Sequence, residues 1–167
     1  MQMQSVVLTN EQRVNLDKLA LYLEGLPKDY KDFQMSEYFA VSGPKGYTER
    51  KLIETEYALK NGGVGKCGAV ACAIGHGPSA GILFKASEFR EDNGLYIASW
   101  ELYCENFCGN ASNEWRWMFG GNWSIWDNTP AGAAARIRYT LRHHEVPDML
   151  ADDTKMAHCL KLYEGEF

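Results

Sequence analysis

The chain has 167 residues, 46% of them hydrophobic, and a net charge of −5, which suits one domain with a real core and leaves little room for a second. The acidic balance without any Lys/Arg run speaks against extended nucleic acid or an anionic membrane as partner, and no apolar run reaches the roughly 18–20 residues that a membrane span needs. The start of the chain lacks the basic and apolar stretches of a secretory signal, so its five cysteines read as reduced thiols of an intracellular protein rather than as a disulfide framework.

Taken in order, the first element is a helix over residues 10–25. Thr9 and Gln12 have capping-box spacing, Leu16, Leu19, Leu23 and Leu26 recur at helical intervals, and Gly25-Leu26-Pro27 ends the pattern. Residues 28–47 scatter aromatics among polar residues and close on the loop Ser42-Gly43-Pro44-Lys45-Gly46. A weaker helical stretch covers 48–60. The glycine loop Gly62 to Gly65 follows, and the small residues from Cys67 to Ile74 predict a short, closely packed helix stopped by Gly75 and Gly77-Pro78. In 98–108 the spacing of Trp100, Cys104, Phe107 and Cys108 predicts a helix with one apolar face and Gly109 at its end. Residues 115–128 alternate tryptophans with turn formers. Thr129-Pro130 is an N-cap with proline at the first helical position, and the helix it opens runs through Ala133, Ile137 and Leu141 to His143-His144, where Arg142 and the imidazoles suit the negative end. The expected fold is a single compact domain over 1–167, mainly α with about five to six helices and at most a small sheet (α+β), with 1–8 and about 146–167 as terminal segments outside the clear pattern.

Four features carry chemistry. Gly63, Gly65 and Lys66 lie in a loop whose N–H groups could hold a phosphate. A true nucleotide hydrolase is refused, because Cys67 stands where a magnesium-binding Ser or Thr belongs and the preceding Glu54 to Lys60 is too polar for a buried strand. Cys67, beside Lys66 at an expected helix start, is a candidate nucleophile with His76, His143 or His144 as base; the plain alternative is a small buried thiol. Cys67, Cys72 and His76, or Cys104 with Cys108, could ligate a structural zinc, yet their spacing does not match short Cys-x-x-Cys knuckles, so no cofactor and no metal is expected. All five tryptophans lie between Trp100 and Trp126. With Arg136 and Arg138 nearby, indole faces at Trp117 and Trp123 would suit a nucleotide-like ligand.

The run Cys67-Gly68-x-x-Ala71-Cys72-Ala73-Ile74-Gly75-His76, followed by Trp117-Met118-Phe119-Gly120-Gly121-x-Trp123-Ser124 and Asp127-Asn128-Thr129-Pro130-x-Gly132-Ala133-Ala134-x-Arg136-Ile137, resembles a family of small proteins encoded by tailed bacteriophages and prophages. The resemblance covers roughly residues 10–145 and implies an accessory protein in the cytoplasm of an infected host bacterium; it brings no assigned catalytic residues. The expected function is therefore to counter a host activity without catalysis, by sequestering a small nucleotide-like signal or by binding a host protein. Gly63, Gly65, Lys66, Trp117, Trp123, Arg136 and Arg138 are the expected contacts. The alternative is a cysteine-dependent hydrolase or transferase using Cys67 and His76. A homo-oligomer is compatible with either reading.

Overall fold

In the computed structural model, residues 2–38, 40–41, 46–60, 69–109, 112–148 and 156–163 are described. The fold is mainly α. Helix α1 (Asn10–Glu24) starts where the capping box places it: Thr9 Oγ1 accepts from the Gln12 N–H at 3.1 Å, and the Thr9 N–H donates to Gln12 Oε1 at 3.0 Å. Leu16, Leu19, Ala20 and Leu23 are fully buried along its inner face. That face meets helix α6 (Pro130–His143), whose N-cap Thr129 accepts from Gly132 N–H. Ala133, Ala134 and Ile137 are buried there, and the short side chains let the two helices pack closely as the largest contact in the molecule.

Strand β1 (Met3–Ser5) pairs antiparallel with strand β6 (Glu145–Pro147), in the register Met3 with Pro147 and Ser5 with Glu145. His144, in the left-handed region at φ 55°, turns the chain from α6 into β6. The two terminal segments therefore clasp each other, and Val6, Leu8 and Val146 join the same core as α1 and α6. Helix α7 (Met156–Tyr163) follows and packs chiefly on α6.

The predicted helix over Cys67–Ile74 is corrected for its described part. Residues Ala69–Val70 form strand β3, antiparallel to β2 (Ala40–Val41), Ala71 bridges to Phe33, and a single 3-10 turn follows over Ile74–His76. The reason lies in the backbone partners. Ala71 N–H donates to Asp32 O, Gln34 N–H to Ala71 O and Cys72 N–H to Glu37 O, so the loop before β2 takes the hydrogen bonds that a helix would have used internally. The small residues serve the close approach that the sequence suggests, since a Cβ on Gly75 would collide with the Tyr38 carbonyl.

Helix α2 (Tyr47–Leu59) leans on a hairpin of β4 (Phe89–Asp92) and β5 (Leu95–Ala98). Thr55 Oγ1 donates to Lys51 O and accepts from Ala98 N–H, tying helix to hairpin. The hairpin turns at Asn93 and Gly94, both with positive φ (51° and 78°), the type I′ geometry that matches strand twist. Helix α3 (Trp100–Tyr103) with the 3-10 turn Cys104–Asn106 carries the expected apolar face, and Trp100, Cys104, Phe107 and Cys108 are all buried. Helices α4 (Asn113–Phe119) and α5 (Trp123–Trp126) then deliver the chain to Thr129. Among the described residues no helix is long and apolar enough to cross a membrane.

Candidate functional site

Gly63, Gly65, Lys66 and Cys67 lie outside the described residues. The other candidate positions are placed, and most of them sit inside the core. Trp117 and Trp123 are 0% exposed, which corrects the expectation of a free indole face. Trp117 Nε1–H donates to Arg136 O at 3.3 Å, and Trp123 Nε1–H donates to Trp117 O at 2.7 Å. The two rings meet edge to face at 5.7 Å between centroids, a favoured aromatic geometry.

Arg136 is also fully buried, so it is a core cation rather than a surface ligand for phosphate. Its guanidinium lies 4.0 Å over the Trp123 ring, and Nη1 donates to Asp127 Oδ2 at 3.1 Å and to Tyr163 Oη at 3.3 Å. Asp127 in turn accepts from Tyr163 Oη–H at 2.7 Å and from Thr129 Oγ1–H at 2.6 Å. Its carboxylate presses on Gly132, where any Cβ would collide with it. The motif Asp127-x-Thr129-Pro130-x-Gly132-x-x-x-Arg136 is thus one unit: the acid occupies the start of α6 and offsets the buried arginine. Burial pushes the Arg136 proton affinity down while Tyr163 and Asp127 hold it up, and burial raises the Tyr163 hydroxyl well above its usual range. Nε and Nη2 of Arg136 have no hydrogen-bond partner.

Arg138 is part-exposed and bridges α6 to α1, with Nε 2.7 Å from Glu24 Oε1 and Nη1 on Asp17. Its donors are committed to those carboxylates, which makes it a helix clamp.

His76 is corrected as a catalytic base. Its ring is 0% exposed and sits among Phe33, stacked at 5.7 Å, Tyr30 at 5.7 Å and Tyr22 at 6.0 Å. Burial lowers its pKa to about 4; the Asp32 and Ala71 carbonyls oppose that shift but meet no hydrogen-bond geometry, so both ring nitrogens lack a partner. Three of the described thiols are held in the protonated form as well. Burial raises Cys72 to about 11 and Cys104 to about 12, with Cys108 well above its ordinary value, the opposite of an activated thiolate. Among the described residues no group of three His, Cys, Asp or Glu side chains could hold a metal ion.

Cavities open on the described surface at two places of note. One of about 150 Å³ is lined by Met35, Tyr38, Cys72, Trp115 and Phe119. The other, about 350 Å³, lies between α2 and the β4–β5 hairpin, against Thr55, Leu59, Phe84, Phe89 and Tyr96. Its hydroxyls are already used, Thr55 as above and Tyr96 Oη–H on Ala86 O at 3.0 Å. What remains open to an occupant is apolar, with Phe89 stacked on Tyr96 at 5.4 Å. Leu59 and Tyr96 stand 67% and 63% exposed beside it. The sequence reading missed this site, although Asn93-Gly94 between the strands is a strong hairpin signal that would have located one wall.

No protein-family model, curated protein or solved structure matches the chain.

Proposed function

We propose that the chain is a phage-type accessory protein that works in the host bacterial cytoplasm and counters a host function by binding a host protein, without catalysis. The observation that carries this reading is the division of labour among its aromatics. Trp117, Trp123 and Arg136, the residues best suited to a nucleotide, are spent on the core. The apolar cavity of about 350 Å³ between α2 and the hairpin is open and is rimmed by Leu59 and Tyr96. A cavity of that size with a mainly apolar lining takes an apolar side chain, the usual form of an interface anchor. Glu56 and Lys60, which flank Leu59 in the chain, are charged and exposed, the polar surround that such anchors have.

Leu59→Asp and Tyr96→Asp test the reading. Both side chains are mainly solvent-exposed, so the variants keep the wild-type melting temperature within a few degrees while abolishing the antagonism in infected bacteria. Full activity of both variants overturns it. Cys67→Ser addresses the cysteine-dependent alternative: activity that survives this change excludes a Cys67 nucleophile.

A further inference from the structure

Arg136 presents a buried guanidinium with its Nε and Nη2 donors unused, and that planar edge is the one that binds an oxyanion through two parallel hydrogen bonds. An unpartnered buried donor is destabilising, so the edge is an unfilled binding feature at a costly place. The indole of Trp123 lies beneath the same guanidinium, and Trp117 stands edge-on to Trp123. Among the described residues, a side chain from another helix covers this cluster. Tyr163 of α7 is 4% exposed and rests edge-on at 5.8 Å from Trp117 and 5.9 Å from Trp123, with its hydroxyl on Asp127. The phenol therefore occupies the position of a ring-bearing ligand, but it brings no acceptor to Nε or Nη2. Helix α7 is only eight residues long and packs chiefly on α6, and short elements near a chain end open below the global unfolding free energy.

We propose that α7 is a latch, with Tyr163 as an internal ligand, and that its opening uncovers a site where Trp117 and Trp123 receive the ring of a nucleoside monophosphate and Arg136 its phosphate. Asp127 does not compete with the phosphate for the free edge, because its carboxylate accepts from Thr129, packs against Gly132 and faces Nη1. The apparent affinity of the wild-type protein is reduced by the fraction of time the latch is open. This site is separate from the apolar cavity: with the latch closed its three residues belong to the core, so the Leu59 and Tyr96 variants test the host-protein reading and the AMP titration tests this one.

Native-state hydrogen exchange on the full chain and fluorescence titration with AMP test the proposal. In the wild type, α7 amides exchange at least about tenfold faster than the central amides of α6, through an opening insensitive to low denaturant. Tyr163→Phe keeps the ring and removes the hydroxyl with its bonds to Asp127 and Arg136, and it speeds α7 exchange by at least about a further tenfold. Tyr163→Ala binds AMP more tightly than the wild type, with a change in tryptophan emission. Adding Arg136→Lys, which keeps a cation for Asp127 but removes the planar edge, abolishes that gain. Exchange of α7 only at the global rate overturns the latch, and this readout does not depend on any variant folding. A folded Tyr163→Ala that binds AMP no better than the wild type overturns the site.

Discussion

Asp127 and His76 show how much a single buried group decides here. Asp127 is the only described carboxylate paired with the fully buried Arg136, so Asp127→Asn keeps the shape and strands the cation. Breaking one half of a buried pair typically costs about 3–5 kcal/mol, and urea unfolding of Asp127→Asn should show a loss in that range; a loss below about 1 kcal/mol would mean that Arg136 is hydrated in the folded state. His76 makes a different prediction because its ring is held neutral. Its folded pKa of about 4 lies below the ordinary 6.5, so between those values the unfolded chain binds a proton that the folded chain refuses. Stability therefore falls as pH drops from about 6.5 towards 4, by about 1.4 kcal/mol per unit at most. Carboxylates titrate in the lower part of that window, and the comparison with His76→Phe removes their share. The difference in unfolding free energy between the two proteins should shift by about 3 kcal/mol across the window, and a constant difference would show that the imidazole titrates normally.

At the scale of elements, what the sequence carries locally is what it reveals. Thr9 with Gln12 and Thr129 with Pro130 announce their helices because a cap is a contact over three residues, visible without the fold. Thr9→Ala should cost about 1 kcal/mol in chemical denaturation, with α1 remaining helical because its leucine face is buried on α6; a loss of far-UV helical signal would instead make the cap a condition for the helix. The small residues after Cys67 are legible as a close-packing segment but not as strand and turn, since their partners, Asp32, Gln34 and Glu37, lie more than thirty residues upstream. The candidate site follows the same rule. Trp117, Trp123 and Arg136 have the right chemistry for a ligand, yet whether such a cluster faces solvent or itself depends on Tyr163 and Asp127 arriving from other elements. The hairpin at Asn93-Gly94 is the exception, a local signal that the sequence reading passed over.

For the whole molecule, the clasp between β1 and β6 matters most, because it joins terminal segments of the domain in which the sequence shows no clear pattern. Residues before α1 add Val6 and Leu8, 5% and 8% exposed, to the common core. They also pair the backbone of β6, so that Val6 N–H donates to His144 O at 2.9 Å and Asp148 N–H to Gln2 O at 2.9 Å. Burying two such side chains contributes about 1.5–3 kcal/mol each relative to exposure, and Val146, itself 0% exposed, loses its cover when they go. Removing residues 1–8 should therefore lower stability by about 3–5 kcal/mol. In a chain of this length that is a drop of roughly 6–20 °C in melting temperature, with the signal of α1 and α6 retained below the transition. Calorimetry of the shortened chain decides the matter: an unchanged melting temperature would mean that β6 closes on α6 without β1, and the clasp would then be an ornament of the fold rather than part of its core.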